Sequence, residues 1–363
     1  MPAMQTLTNH PTTDSMQKEE PLCPVFGTCG GCSYQDITYE SELKVKEEML
    51  RIFLQEAIGL SPAVFKDIVR SPRYYHYRHR LDLTFRKTRA GDFLIGFIAE
   101  NRHKVLELEA CPIAMAAVSD FLPALKKEAM ARLPLNYDTA NLVVRTGDDG
   151  RVRWGGIGRR SLRLKEEDYL WTEIEGKKIY FDLETFFQAN LSILPVLIQT
   201  VRKLLALDRD TVFLDLYSGV GLFGLCLAGE SGPVVMMEDY PASVQLAHYN
   251  IMRHGLQAAT EICDRRVEEG LPEILAKYRG RKMKVMIDPP RNGVKAGALE
   301  ALAAQAKTGI LEKLLYLSCY PPALARDLKQ LCAAGWKVMS LTPLDFFPRT
   351  KHLEVLAELG PGI

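Results

Sequence analysis

Phe213-Leu214-Asp215-Leu216-Tyr217-Ser218-Gly219-Val220-Gly221-Leu222-Phe223-Gly224 is the stretch that decides the fold. An apolar run breaks at a glycine-rich turn and resumes as a second apolar segment, which reads as strand, tight turn and helix start. Glycine takes up positive φ and lets a backbone approach a ligand closely. Glu238 follows Gly221 by 17 residues, at the end of the next predicted strand. A carboxylate placed there can accept both hydroxyls of a ribose. The spacing of Gly219, Gly221 and Gly224 also fits a dinucleotide fingerprint, and close packing of a helix on a strand would ask for the same glycines. Asp215 just before the turn, together with a distant Asp288-Pro289-Pro290, suits S-adenosylmethionine better than NAD.

Outward from this turn the pattern repeats. From residue 195 onward, helical segments alternate with short apolar strands over 212–216, 234–238, 284–287, 313–317 and 336–341. That alternation predicts an α/β fold with a mostly parallel, doubly wound sheet. Upstream the pattern differs. Leu43, Leu50, Phe53, Leu54 and Ala57 recur at helical spacing over 40–58, and Gly59 and Pro62 end the helix. Residues 78–109 alternate as strands around a turn at Arg89-Ala90-Gly91-Asp92. Residues 114–132 read as a helix, and 142–180 return to strand, with turns near Gly155 and Gly158. The expected organisation is a disordered polar tail over 1–21, an α+β domain over 22–185 and the α/β domain over 186–363.

The bulk properties exclude several classes. The chain of 363 residues is long enough for two cores. Its net charge is +1, so any nucleic acid must be met by a local basic patch. No apolar run reaches the roughly 18 residues of a membrane span, and the N-terminal segment has no apolar signal region. Cytoplasm is the expected location.

The chemistry gathers in three further motifs. Cys319 ends the apolar run 314–317 and precedes Tyr320-Pro321. Ligands of open α/β sheets bind at the carboxyl ends of strands, so a thiol there is poised, although a lone cysteine is usually a small core hydrophobe. Asp288-Pro289-Pro290-Arg291 lies 31 positions upstream. Its two prolines stiffen the strand end and remove two N–H donors. Phe346-Phe347-Pro348-Arg349-Thr350-Lys351-His352-Leu353-Glu354 leads into the last predicted strand, over 353–357. Taken alone, Glu354 would read as a surface carboxylate.

Eight cysteines are spread unevenly. Cys23, Cys29 and Cys32 form Cys-x5-Cys-Gly-Gly-Cys, and Cys111 precedes a proline. Four thiolates suit a structural zinc or a [4Fe-4S] cluster, and spacing does not decide between them. Cys226, Cys263 and Cys332 are expected to be packing residues. Arg70-Ser71-Pro72-Arg73-Tyr74-Tyr75-His76-Tyr77-Arg78-His79-Arg80 mixes cations with aromatics, as a surface for phosphates and unpaired bases would. Arg151, Arg153, Arg159, Arg160 and Arg163 extend that expected patch.

As a set, these motifs resemble the RNA (uracil-5-)-methyltransferases, over residues 23–358. Phe186-Phe187-Gln188-Ala189-Asn190 matches that family's Phe-Phe-Gln-x-Asn, and the ending Phe-Pro-x-Thr-x-His-x-Glu matches 347–354. The resemblance implies a Rossmann-like class I methyltransferase sheet and methyl transfer from S-adenosylmethionine to C5 of a uridine in RNA. It implies Cys319 as nucleophile and Glu354 as base. It further implies Gln188, Tyr217, Gly219, Glu238 and Asp288 as cofactor residues, and a [4Fe-4S] cluster on Cys23, Cys29, Cys32 and Cys111. The common N-terminal TRAM barrel is not expected, which leans toward 23S rRNA over tRNA, and a monomer is the family-typical state. Three positions depart from the pattern. Tyr320 follows the nucleophile where asparagine is usual, Leu222 replaces a polar cofactor contact, and Arg266 stands near another. Two competing readings are an iron–sulfur NAD-dependent oxidoreductase and an RNA-binding protein on a decayed methyltransferase fold. The first leaves Cys319 and Glu354 idle; the second does not explain why the reactive residues are intact.

Overall fold

Tyr39–Ile58 forms α1, with the Thr38 side chain capping its start and Gly59, at φ 65°, ending it. The computed structural model describes residues 16–88, 90–99, 104–132, 137–156 and 162–362. Alternating burial then gives β1 (Arg80–Lys87), β2 (Phe93–Ile98) and β3 (Val105–Glu107), followed by α2 (Ala116–Arg132), β4 (Thr139–Thr146) and β5 (Val152–Gly155). These strands make an antiparallel sheet in the order β3-β2-β1-β4-β5. Its inner face buries Leu81, Leu83, Phe85, Leu142 and Val144 against Val118, Leu122 and Leu125 of α2. A separate hairpin, β6 (Leu170–Ile174) and β7 (Lys177–Phe181), leads toward the second half.

The second half is the α/β unit that the glycine turn announced. Its elements are α3 (Leu194–Leu205), β8 (Val212–Leu216), α4 (Leu222–Leu227), β9 (Val234–Met237), α5 (Pro241–Arg253), β10 (Thr260–Cys263), α6 (Val267–Lys277), β11 (Met283–Ile287), α7 (Ala296–Ala304), β12 (Leu311–Ser318), α8 (Pro321–Ala334), β13 (Trp336–Leu344) and β14 (Glu354–Pro361). They build a seven-stranded sheet ordered β10-β9-β8-β11-β12-β14-β13. The first five strands run parallel, and β14 pairs antiparallel with both β12 and β13. Successive strand residues face opposite cores. Leu214 and Leu216 join α6, α7 and α8 on one side, and Phe213 joins α3, α4 and α5 on the other. This is the doubly wound arrangement, closed at one edge by an antiparallel pair.

Residues upstream of β1 also reach this sheet. Leu50 and Leu54 of α1 lie in the same core as α8. Phe65 and Val69 bridge in parallel to Leu341 and Leu344 of β13. The strand order reverses between β8 and β11. In open α/β sheets the crevice at such a switch point, beyond the carboxyl ends of the strands, is where ligands bind.

Candidate active site

A cavity of about 810 Å³ opens at that switch point. Gln188, Tyr217, Gly219, Glu238, Asp288, Cys319 and Glu354 all line it, with Phe186, Tyr240, Arg266, Arg291 and Lys295 among their neighbours. Every position that the sequence assigned to nucleophile, base or cofactor therefore meets in one space, although Gln188 and Glu354 lie 166 positions apart. The four cluster cysteines do not line it.

The turn after β8 is held in an unusual backbone. Tyr217 has φ 60° and Gly219 φ 56°, a region L side chains seldom occupy. Glu238 Oε2 accepts from Gly219 N at 2.9 Å, and its Oε1 accepts from Asp239 N and Tyr240 N at 3.0 and 2.8 Å. The carboxylate expected to hold a ribose thus also fixes the turn facing it. Asp215, just before the turn, has a structural part. It is fully buried, and its Oδ2 accepts from Gly224 N at 2.8 Å. A Cβ on Gly224 would lie 2.5 Å from Met236 Sδ, so this glycine is needed for helix-on-strand packing.

Asp288 follows β11 and accepts from Gln188 Nε2 at 2.8 Å. Burial pushes its carboxyl up to about 7, with the Gln188 hydrogen bond opposing the rise. Burial likewise takes Asp215 to about 8, while Gly224 N opposes and Asp288 and Glu238 add to it. The native state therefore binds these protons more tightly than an unfolded chain, whose aspartates titrate near roughly 4. That stability is complete below about 4 and is lost as pH rises through about 7 to 8. The ligand-free protein is expected to melt at lower temperature as pH rises across that window. Asp288→Asn should recover on the order of 1–3 kcal/mol at the alkaline end. Parallel melting curves against pH for the two proteins would refute this assignment.

Cys319 sits between β12 and α8, half-buried. Burial pushes its thiol up to about 11; Glu354 and Asp288 add to the rise and Arg291 opposes it. Glu354 opens β14 and is 4% exposed. Burial, then Asp288, holds its carboxyl well above the usual carboxylate range, with Arg291 opposing. Its carboxylate makes no hydrogen bond among the described residues. The site thus concentrates acidic groups, each of which would ionise more readily beside a cation. The rim near Glu354 already supplies some positive charge. Burial, then Arg291, Lys351 and Arg78, pushes His352 down to about 4.

Residues 158–359 match the profile of the tRNA (uracil-5-)-methyltransferases. The chain belongs to this family. An uncharacterized RNA methyltransferase of Thermosynechococcus vestitus is 29% identical, over 95% of this chain and 85% of that one. The 23S rRNA (uracil(1939)-C(5))-methyltransferase RlmD of Klebsiella pneumoniae is 27% identical, over 94% and 82%. The Pyrococcus abyssi tRNA (uracil-54, C5)-methyltransferase, solved with S-adenosyl-L-homocysteine, shares the fold. It has a TM-score of 0.69 and 23% identity, covering 91% of this chain and 85% of that one.

Other expectations for this uracil-5-methyltransferase family member fare unevenly. In the segment 70–80, Tyr77 and His79 are buried. Arg70 pairs with Glu40 at 2.6 Å, and Arg80 with Asp82 at 2.8 Å. Arg73, Tyr74 and His76 remain exposed. Arg151, Arg153 and Arg163 pair with Asp149, Asp168 and Glu184, and Arg159 and Arg160 lie outside the described residues. Cys226 packs in the core as expected, whereas Cys332 is exposed. Among the described residues no group of three or more His, Cys, Asp or Glu side chains is arranged to hold a metal ion, so the four-cysteine loop is not drawn together as a ligand set. Its thiols nevertheless lie within electrostatic reach. Burial pushes Cys32 up to about 12; Gln35 opposes, and Cys111, Cys29 and Cys23 add to the rise. No helix among the described residues is long and apolar enough to cross a membrane.

The sequence reading missed several contributors. Asn190 was quoted only as part of a motif. Its Nδ2 donates to Ser71 Oγ at 2.9 Å and to Phe346 O at 3.2 Å, tying the start of the α/β unit to the loop before Glu354. The Lys46–Asp345 pair, at 2.7 Å and buried, was also missed. Residues 299 apart that only tertiary packing brings together leave no local signal.

Proposed function

We propose that the protein methylates C5 of a uridine in RNA through a covalent bond between Cys319 and C6 of the base. The observation that carries this reading is the meeting of Cys319, Glu354, Asp288 and the Gly219–Glu238 turn in one cavity at the strand ends. The oxidoreductase reading built on the glycine turn assigns no role to the half-buried Cys319 thiol or to the buried Glu354 carboxyl. The intact set also argues against a decayed fold. Gln188, Tyr217, Gly219, Glu238 and Asp288 would hold S-adenosylmethionine. When bound, this molecule supplies an electrophilic methyl on a cationic sulfonium.

C5 of uracil is a weak nucleophile. Addition of the Cys319 thiolate to C6 forms the C6–Sγ bond and pushes electron density toward C5, which can then take the methyl. The methylated adduct still carries a proton at C5. Glu354 receives it as general base, the C5–C6 double bond re-forms, and Cys319 leaves with the C6–Sγ pair. Cysteine suits the first step because it is nucleophilic even at a small thiolate fraction. A cation bound next to Cys319, Asp288 and Glu354 would lower all three from their raised values and favour the ionised thiol and base. The uridine must leave its stack to reach the cavity, at a cost of a few kcal/mol.

The deciding experiment uses RNA containing 5-fluorouridine, because fluorine at C5 cannot leave as a proton. The protein with S-adenosylmethionine should be stranded on its target through Cys319. Ribosomal RNA (23S) is the expected catch, in keeping with the relatives above, and recovery of tRNA would redirect the substrate. Absence of any adduct, with cofactor bound, would overturn the reading.

The same reading divides the chain into an N-terminal segment over 1–21, an RNA-binding region over 22–185 and the methyltransferase unit over 186–363; residues 17–19 pair with 36–38, so the expected disordered tail does not extend over them. It places a [4Fe-4S] cluster on Cys23, Cys29, Cys32 and Cys111. Burial raises the Cys29 and Cys111 thiols as well, and neighbouring thiols add to both. A metal centre would supply the positive charge that lets these thiols ionise. The side chains would have to close on it. Anaerobically purified protein is expected to carry about four irons and matching sulfide per chain. Stoichiometric zinc without iron would replace the cluster with a zinc site.

A further inference from the structure

We propose that Arg349 is a positioning residue that fastens the Glu354 segment to the cysteine loop and thereby governs release of the RNA, an inference that rests on Glu354 being the base. Arg349 is 0% exposed and sits at φ 66°. A buried guanidinium and a left-handed backbone in a non-glycine residue are both costly. Its Nε and Glu42 Oε2 also lack hydrogen-bond partners. Such an outlier persists only where its surroundings over-determine it, and outliers of this kind gather at functional sites.

The surroundings are specific. Arg349 O accepts from Ser33 N at 2.8 Å and from Tyr34 N at 3.2 Å, the two residues directly after Cys32. Its Nη1 donates to Ile37 O at 2.7 Å and Tyr34 O at 3.2 Å. Its own N donates to Glu42 Oε1 at 2.7 Å. The rings of Tyr75, Tyr74 and Tyr39 lie 4.7, 5.0 and 5.9 Å from its guanidinium carbon. Both the main chain and the side chain of this one residue are therefore bolted to 33–37 and to α1.

The bolt continues toward the base. Lys46 Nζ contacts Glu42 Oε1 and Asp345 Oδ1 at 2.7 Å each and donates to Phe347 O at 3.1 Å. Tyr77 donates to Pro348 O at 2.9 Å. Phe347 O also accepts from Thr350 Oγ1 at 2.8 Å, and Thr350 Oγ1 in turn accepts from His352 N at 3.2 Å. Glu354 begins β14 two residues later. Because its carboxylate makes no hydrogen bond among the described residues, its place is set by backbone: by this loop on one side and by the pairing of Glu354 with Leu344 of β13 and of Val355 with Ser318 of β12 on the other. Cys319 stands between β12 and α8, outside the chain of contacts just traced. β12 and β14 pair side by side at Ser318 and Val355, but the contacts of Arg349 bear on the segment before Glu354 and not on Cys319.

The consequence is step-selective. A displaced Glu354 should leave addition of Cys319 and methyl transfer intact. It should slow only the last step, in which the C5 proton passes to the carboxylate, the C5–C6 double bond re-forms and the C6–Sγ pair departs with Cys319. The test uses the full chain with unmodified target RNA and three variants: Arg349→Met, Arg349→Lys and Glu354→Gln. Single-turnover methyl transfer and the decay of the protein–RNA adduct on a denaturing gel are measured in parallel. Arg349→Met is expected to transfer methyl at close to the parent rate but to release RNA about a hundredfold more slowly, the scale of a 1 Å misplacement. Arg349→Lys, which keeps a cation beside Glu42 but has fewer donors, should fall between. If Arg349→Met fails to fold, judged by melting, Arg349→Lys decides alone. Transfer and release slowed equally, or no adduct in the arginine variants while Glu354→Gln accumulates one, overturns the proposal. No adduct in Glu354→Gln removes the base assignment itself, and this inference with it.

Discussion

Cys319→Ala is expected to abolish methyl transfer while leaving S-adenosylmethionine binding near that of the parent protein. The loss should be at least about ten-thousandfold, because deleting the nucleophile of a covalent mechanism removes the route and not merely an assisting contact. Binding should survive because the cradle holds itself together. Glu238 keeps its three amide donors and Asp288 keeps Gln188, none of which needs the thiol. Transfer of radiolabelled methyl and titration calorimetry of the cofactor measure the two properties separately. Parent-like turnover in the variant would remove Cys319 from the mechanism. The pH profile supplies a second check. With the thiol near 11 in the ligand-free protein, the thiolate fraction grows with pH across the neutral range. RNA adduct formation should therefore accelerate toward alkaline pH, and a flat profile would mean that thiol ionisation does not limit addition.

Glu354→Gln is expected to trap the enzyme on its substrate. Glutamine matches the glutamate in size and cannot take the C5 proton, so addition and methyl transfer proceed and elimination stalls. Turnover should fall by about 10²- to 10⁴-fold, the usual contribution of a positioned general base. A band resistant to denaturation should appear with ordinary RNA, with no fluorine required. The substitution also deletes a buried carboxyl whose charged form is disfavoured by burial and then by Asp288, so the variant should melt no lower than the parent. Normal turnover without a trapped species would call for another base.

Much of this was legible before any coordinates. Strand periodicity and the glycine turn announced the doubly wound sheet, because both are local properties of the chain. Cys319 and Asp288 could be placed at strand ends for the same reason. Other features were legible only in part or in the wrong sense. Asp215 served in the sequence only to favour one cofactor over another, and its structural task, accepting from Gly224 N, left no local signal. Tyr77 and His79 looked like surface because they alternate with arginines, yet alternation on a half-buried segment sends every second residue inward. Arg349, Lys46, Glu42 and Asp345 were not legible at all. A scattered charge reads as solvated until a partner some 300 positions away is folded against it, and no periodicity records that event.

The place of β14 has a consequence for how the enzyme is made. Glu354 enters on a strand that slots between β12 and β13, both of which precede it in the chain. A nascent chain that has already exposed Cys319 therefore still lacks the strand that seals the sheet and the carboxylate that opens the exit. On the proposed mechanism the nucleophile is thus synthesised before the carboxylate that would release it, while the sheet that frames their cavity is still open.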